Sequence, residues 1–238
     1  MLTRDDLLSS LDRDMRAFAE VLRTVDLSLD VPDCPGWTIA DLGRHLAEVH
    51  SWAYGIVATG SPGEPDEITT DPTALSAAYR DQAARLLDAL RTTDPAAPVW
   101  TMGPPPREAS FWVRRQAHET GMHLGDALRA LDLDVHIDVD VAADGVDEVV
   151  TVFFPRQVRL ERIPPLAQGI RIELTDVPGT AYVVAGDGTD PDASTVATVR
   201  GSAADVLLAL WHRGGIERLD VDGDGIAVLS AFATALTP

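Results

Sequence analysis

The stretch that most constrains the fold is residues 110–131, SFWVRRQAHETGMHLGDALRAL. Its apolar residues recur near the 3.6-residue period of an α-helix, so the stretch predicts one helix of about six turns. The same stretch holds the densest group of titratable side chains in the chain, which are His118, Glu119, His123 and Asp126. A long helix carrying such a group predicts a functional site on one of its faces.

The spacing of these side chains decides which of them can act together. Glu119 and His123 are four residues apart, which places them about 40° apart on one helical face. A carboxylate and an imidazole so arranged can share one metal ion. His118 and His123 are five apart, about 140° around the helix, and cannot share an ion. The run H-E-x-x-x-H is one residue longer than the H-E-x-x-H of zinc proteases, so that class is excluded and a third ligand must come from elsewhere.

Three further amphipathic helices are predicted before this one, over residues 3–24, 38–59 and 71–91. Each begins with a helix-start signal, and these signals are Thr3 with Asp6, Thr38 with Asp41, and Asp71 with Pro72. Four amphipathic helices joined by short to medium loops predict a four-helix bundle, whose core is a usual place for metal ligands.

After residue 131 the pattern changes. Residues 132–145 are acidic and loop-like, and 146–158 predict a fifth helix. Residues 170–177, 180–186 and 194–201 alternate apolar and polar positions and predict strands, with a hairpin turn at Gly186-Asp187-Gly188. Ser202 is expected to cap a helix, followed by a strand near 217–221 and a last helix over 226–236. The fold class is therefore α+β, with a bundle over residues 1–138 and a small α/β domain over 139–238.

Composition limits the partners. The net charge of −19 argues against nucleic-acid binding, because a phosphate backbone would be repelled. No apolar run approaches 18 residues, so no membrane span is expected. Cys34 is the one cysteine, which excludes an intrachain disulfide. These features predict a cytoplasmic protein.

The third ligand is expected from the second helix. His45 lies within the apolar stripe of that helix, whereas His50, about 140° away, is predicted to face solvent. Taken alone, His45 is more typical of a hydrogen-bonded core residue, and Glu119 of an interior ion pair with Arg114 or Arg115. Together with His123 they form two imidazoles and one carboxylate, a known catalytic zinc set that leaves a fourth position open.

Other candidates are weaker. Asp126 could orient the imidazole of His123, or be a solvated helix residue. His118 is expected to be structural or a hydrogen-bond partner of the site. Cys34 has no histidine near it in sequence and is interpreted as a loop or core residue. The acidic run from Asp220 lacks the glycine and glutamate of a calcium loop and is interpreted as a turn.

Two segments, 32–53 (PDCPGWTIADLGRHLAEVHSWA) and 114–128 (RRQAHETGMHLGDAL), resemble the signature segments of the mycothiol-dependent maleylpyruvate isomerase-like proteins of actinobacteria. Residues 199–213 (VRGSAADVLLALWHR) resemble the motif of that family's C-terminal domain. The resemblance implies a DinB-like four-helix bundle followed by an α/β domain. Carried over residue by residue, its metal set falls on His45, Glu119 and His123. It also implies a substrate-binding arginine from the C-terminal domain, for which Arg213 and then Arg200 are the candidates.

The resemblance implies a divalent metal, with zinc the first choice, and mycothiol as the thiol cosubstrate. The expected reaction is cis–trans isomerisation of an unsaturated dicarboxylate by an activated thiolate. Members of the family commonly have arginine after the second metal histidine, where this chain has Leu124, so the substrate is left open. The alternatives are a mycothiol S-transferase acting on electrophiles and a non-catalytic metal- or ligand-binding protein. The sequence does not fix the oligomeric state.

Overall fold

The computed structural model describes residues 2–233 of the chain. The described chain divides into two compact units, Leu2–His136 and a second unit that starts at Ile137. Helices alone make up the regular structure of the first unit beyond single bridges, and the second combines helices with a five-stranded sheet. The α+β fold class expected from the sequence is therefore confirmed. No helix in the part of the chain that the structure describes has both the length and the apolar character to cross a bilayer.

The first unit is built from four helices of 21 residues each among its described residues: α1 (Arg4–Thr24), α2 (Ile39–Thr59), α3 (Pro72–Thr92) and α4 (Ser110–Ala130). The start signals work as the sequence predicted. Thr3 and Thr38 each form a capping box with the aspartate three residues later, and Asp71 caps α3 ahead of Pro72. Caps of this kind satisfy amide groups that the first turn leaves unpaired, which fixes where each helix begins.

Apolar side chains from all four helices meet in one core. Its largest fully enclosed members are Leu11, Phe18, Ile39, Leu42, Leu46, Ile56, Leu75, Tyr79, Leu86, Leu90 and Trp112. Burying a side chain of this size stabilises the fold by about 1.5–3 kcal/mol relative to leaving it exposed. The packing holds α2 and α4 in the same core, which is what brings their polar residues together.

The second unit begins with a helix that the sequence did not predict correctly. Helix α5 runs over Val139–Glu148, so residues 139–145, expected to be a loop, are helical. Ala142, Val146 and Val149 are fully buried at helical spacing, whereas Asp140 is exposed. Acidic residues alternate with these apolar positions in the sequence, so the apolar face was not recognised from the pattern.

The fifth helix is also divided. A π-helical segment over Val149–Phe153 separates α5 from α6 (Phe154–Arg159). Pro155 has no amide hydrogen to donate to the carbonyl four residues before it, so the regular α-helical pattern cannot continue through this position.

The sheet has the strand order β3-β2-β1-β4-β5, and β1 pairs with β4 in parallel while the other neighbours are antiparallel. The strands are β1 (Leu166–Leu174), β2 (Ala181–Gly186), β3 (Gly188–Thr189), β4 (Thr195–Gly201) and β5 (Asp220–Gly223). Three of them match the predicted strands, and the hairpin at Gly186–Gly188 joins β2 to β3. The two-residue β3 was not predicted.

Helix α7 (Ala203–Leu210) follows β4 and is capped by Ser202 as expected. A 3₁₀ turn occupies Ile216–Arg218, so the predicted strand near 217–221 begins later, at Asp220. The acidic run interpreted as a turn is thus β5, which pairs with β4. Helix α8 covers Gly225–Ala233, and the remainder of the predicted last helix, with the predicted domain end at 238, lies outside the described residues.

Candidate metal centre

Three potential metal ligands from two helices meet at one point in the bundle. His45 on α2 and His123 on α4 place their Nε2 atoms 3.3 Å and 3.4 Å from the same oxygen, Oε1 of Glu119. One potential ligand atom from each of the three residues lies within 4.8 Å of the other two. The imidazole rings of His45 and His123 are 5.2 Å apart and nearly perpendicular. One ion could therefore contact all three side chains after small rotations.

Comparison with known proteins places the chain among its relatives. Residues 8–128 match the model of the mycothiol maleylpyruvate isomerase N-terminal domain, and residues 140–228 match that of the MDMPI C-terminal domain. The chain belongs to the mycothiol maleylpyruvate isomerase family. The family suggested by the sequence segments is therefore confirmed.

Solved structures share the fold of this family member. A crystal structure of the mycothiol-dependent maleylpyruvate isomerase has 17% sequence identity to the chain and a TM-score of 0.66, with 93% of each chain covered. A histidine-to-alanine mutant of that isomerase gives a TM-score of 0.64 at the same identity and coverage. At this identity the likeness shows the fold alone. A search of curated proteins finds no match to this sequence.

The electrostatics of the site are set by Glu119. Burial alone would raise the pKa of its carboxyl group, but His123 and His45, with the charge of Arg115, outweigh burial and hold that pKa well below its usual range. Arg115 is almost fully enclosed and donates from Nη2 to Oε2 of Glu119 over 2.9 Å. Of the two interior ion pairs considered from the sequence, the one with Arg115 is present. Because Oε2 is held by this arginine, Oε1 is the oxygen turned toward the two imidazoles.

Asp126 holds the other side of the His123 ring. Nδ1 of His123 lies 2.9 Å from Oδ2 of Asp126, whose side chain is completely buried. A neutral His123 would donate from Nδ1 to this carboxylate and keep the lone pair of Nε2 for a metal, as is usual for metal-binding histidines. In the metal-free protein, burial disfavours the charged ring, yet Asp126, Cys34 and Glu119 together raise the pKa of His123 well above its ordinary value. Metal binding would therefore release a proton from this site.

Cys34 is the residue near the site that sequence reasoning missed. Its Sγ lies 3.5 Å from Oδ2 of Asp126, and Cys34, His123 and Asp126 form a second group whose donor atoms lie within 4.8 Å. The residue comes from the loop between α1 and α2, and 92 positions separate it from Asp126. No local pattern could indicate a contact over that separation. Arg129 joins the same arrangement by pairing with both Asp126 and Asp33.

His50 is placed differently from the prediction. It was expected to face solvent, but it is fully buried, and Nε2 lies 3.0 Å from Oγ1 of Thr120. Helix α2 packs against neighbours on more than one side, so two arcs of its surface are covered, not one. Burial lowers the pKa of His50 to about 3, which keeps the ring neutral at ordinary pH.

The other predicted site residues each have contacts within their own unit. His118 is buried on α4 and, within the described residues, belongs to neither group of potential metal ligands. Arg200, on β4, donates to Glu173 over 2.7 Å and lies 3.8 Å from Asp220. Arg213 donates to the carbonyl of Trp211 and lies over the Trp211 ring. These contacts describe where the two arginines lie and leave their substrate role a prediction.

Proposed function

We propose that this protein is a divalent-metal- and thiol-dependent enzyme that isomerises a cis-unsaturated dicarboxylate, with mycothiol as the thiol. The observation that carries the proposal is the convergence of His45, Glu119 and His123 on one point. Membership of the mycothiol maleylpyruvate isomerase family supports the choice of thiol and reaction class.

The donor set fits a zinc-type ion. Two imidazole nitrogens and one carboxylate oxygen are the ligands of a known class of catalytic zinc sites, in which the fourth position stays open. Among the described residues, the group around Glu119 contains three side chains, and the His45 side chain is one third exposed. The exposed side at His45 gives a cosubstrate a route to that open position. A divalent ion bound here would lower the pKa of a coordinating thiol and so provide a thiolate at neutral pH.

The chain's own residues have separate roles in this proposal. His45, Glu119 and His123 would hold the ion. Asp126 orients the His123 ring through Nδ1, and Arg115 fixes the Glu119 carboxylate through Oε2. A site with both helpers in place needs little rearrangement when the ion binds, which favours tight binding.

The proposed reaction on the substrate is addition and elimination. The thiolate adds to one carbon of the double bond, and the electron pair moves toward the conjugated carbonyl. The remaining carbon–carbon single bond rotates, the electron pair returns, and the thiolate leaves with the trans double bond restored. We further propose that Arg213, or failing that Arg200, pairs with a substrate carboxylate, and that the protein acts in the cytoplasm.

A transferase is the second candidate. The same activated thiolate could attack an electrophile and remain attached, and the geometry around Glu119 suits both outcomes equally. Product analysis separates them, because an isomerase returns the free thiol whereas a transferase consumes it. A protein that only binds a ligand would neither isomerise the substrate nor consume the thiol.

The test combines metal loading with turnover. Purified protein loaded with Zn²⁺ and supplied with mycothiol should convert maleylpyruvate to its trans isomer without net loss of thiol. Turnover should fall to background after chelation, without thiol, or in His123→Ala. The matched control is His136→Ala, which removes an exposed histidine at the end of the first unit and should keep full activity. Wild-type turnover by His123→Ala would contradict the site assignment.

A further inference from the structure

The bundle core contains polar atoms that have no protein partner. Nδ1 of His50, Oη of Tyr79 and Oε1 of Gln116 are all enclosed and make no hydrogen bond within the described residues. Each belongs to a residue with at most 1% of its surface exposed. Buried polar atoms are nearly always hydrogen-bonded, to protein or to ordered water, because leaving them unpaired is costly. Three such atoms on three helices indicate a bound hydrogen-bonding partner, such as an ordered water molecule.

The residues that carry these atoms are linked through neighbouring contacts. The rings of His50 on α2 and Tyr79 on α3 lie 5.4 Å apart. His50 bonds to Thr120 on α4 at 3.0 Å, and Gln116 precedes Thr120 by one turn on the same helical face. Helix α1 contributes a charge, since burial together with the nearby carboxylate of Asp14 raises the pKa of Tyr79 above its ordinary value. The region therefore offers both donors and acceptors to a small polar molecule.

The protonation of His50 follows from its contacts. The ring is neutral, so one nitrogen donates a hydrogen bond and the other accepts one. Within the described residues, the Thr120 hydroxyl has His50 Nε2 as its hydrogen-bond partner. If that hydroxyl donates to Nε2, the ring proton is on Nδ1, the atom without a protein partner. A water molecule can accept from Nδ1 and also serve Tyr79 and Gln116, which gives it the two to four partners that buried waters need.

We propose that a buried water molecule binds between His50, Tyr79 and Gln116, and that this network, through the His50–Thr120 bond, fixes the position of Glu119. Only the second clause rests on the proposed function. Water is the ligand of this site, and His50 and Thr120 are positioning residues that do not touch the ion.

The reason for a positioning effect lies in the two helices involved. Helices α2 and α4 supply all three proposed metal ligands, and the His50–Thr120 bond is a second polar contact between the same helices. Thr120 is next to Glu119 in sequence. A bond at this position limits the sliding of α4 against α2, and a metal site needs its ligands held within about 0.5 Å of the productive geometry.

The positioning clause is tested with a matched pair of variants. Thr120→Val keeps the shape of the side chain and removes the hydroxyl, whereas Thr120→Ser keeps the hydroxyl. Zn²⁺ affinity is measured by competition with a chelator, and the d–d absorption of Co²⁺-loaded protein reports the geometry of the site. We expect Thr120→Val to raise the Zn²⁺ dissociation constant about tenfold and to change the Co²⁺ spectrum. Thr120→Ser should restore both to wild-type values.

Equal Zn²⁺ affinity in Thr120→Val and the wild type would overturn the positioning clause and leave the proposed metal site intact. Absence of Zn²⁺ binding by the wild type would overturn the proposed function and the positioning clause together. Neither result bears on the water, which has its own measurements.

The water is tested on the metal-free protein. Nitrogen-15 chemical shifts of the wild type should show His50 with its proton on Nδ1, and a slowly exchanging water should give cross-relaxation with that proton. Tyr79→Phe should lower the melting temperature, because it removes one partner of a filled network. A rise in melting temperature would mean that the Tyr79 hydroxyl had been unsatisfied, and would overturn the water site, as would a proton on Nε2.

Discussion

Helix α2 carries two histidines five residues apart, and their surroundings are opposite. His45 is one third exposed and faces the Glu119 carboxylate, so the two side chains can bind the same cation. His50 is enclosed, neutral and hydrogen-bonded to the hydroxyl of Thr120. The difference comes from what the facing surface of α4 presents: a charged residue at 119 and a neutral hydroxyl at the next position. One helix thus supplies a potential metal ligand and a packed core residue with the same side chain.

The comparison is tested most directly by removing each imidazole in turn. His45→Ala should weaken Zn²⁺ binding by more than about 100-fold, because a ligand is lost, while the metal-free protein loses only about 1 kcal/mol of unfolding free energy with one hydrogen bond to Glu119. His50→Ala should do the reverse. It should cost the metal-free protein about 3 kcal/mol through the cavity it leaves, and weaken Zn²⁺ binding only about tenfold. Chelator competition and urea unfolding measure the two quantities, and equal effects from both variants would contradict the contrast.

The role of Asp126 gives the next largest effect. Asp126→Asn removes the charge opposite Nδ1 of His123 and should weaken Zn²⁺ binding about 30-fold. Asp81→Asn, which removes an exposed carboxylate on α3, is the control for net charge and should bind as the wild type does. If the two variants behave alike, Asp126 does not act through the imidazole.

The pH dependence of stability should separate the two histidines in the metal-free protein. The pKa of His50 is about 3 in the folded state against 6.5 for a free histidine, so between these values the unfolded state binds more protons. Stability should therefore fall by roughly 1.5 kcal/mol between pH 6.5 and pH 5. The raised pKa of His123 acts above pH 6.5, where stability is lost as pH rises. His50→Leu should flatten the acidic slope in urea unfolding and keep the alkaline one, and an unchanged acidic slope would mean that His50 is not its source.

The smallest predicted effect concerns the start of α2, seven residues before His45. Thr38→Ala removes a capping box and should cost about 1 kcal/mol, as should Thr3→Ala on α1. Both variants should lose similar stability by thermal unfolding. Only Thr38→Ala should also change the Zn²⁺ dissociation constant, by about twofold to threefold, since it loosens the helix that carries His45. The same change in Thr3→Ala would show a general effect of stability.

The bundle could be predicted in detail because its information is local. Thr3, Thr38 and Asp71 mark helix starts within a few residues, and apolar spacing identifies the helices. The spacing of Glu119 and His123 also indicated that they share a face. Which arcs of α2 are covered depends on three neighbouring helices, so the burial of His50 could not be read from α2 alone. Cys34 and Asp126 are 92 positions apart in the sequence, so no local pattern indicates their contact.

The second unit shows the limits of periodicity. Acidic residues lie between the apolar positions of α5, so the pattern did not indicate where that helix begins. The π-helical segment before Pro155 does not follow a 3.6-residue period and could not be predicted from it. The strand β3 has only two residues, too few to show alternation. Its pairing with β2 follows from the hairpin geometry instead.

The partial exposure of His45 has a consequence for the kinetics of the proposed site. Arg115 and Asp126 hold Glu119 and His123 on the side away from the ligand atoms. His45 is partly exposed, and within the part of the chain that the structure describes its side chain has ring contacts to Trp37 and His123 beside its bond to Glu119. Turning this one side chain outward would reduce the site to two ligands and ease the release of an ion while the rest of the bundle stays folded. Exchange of bound zinc with the medium should therefore not require unfolding, and should run ahead of hydrogen exchange at the core amides of α2 and α4.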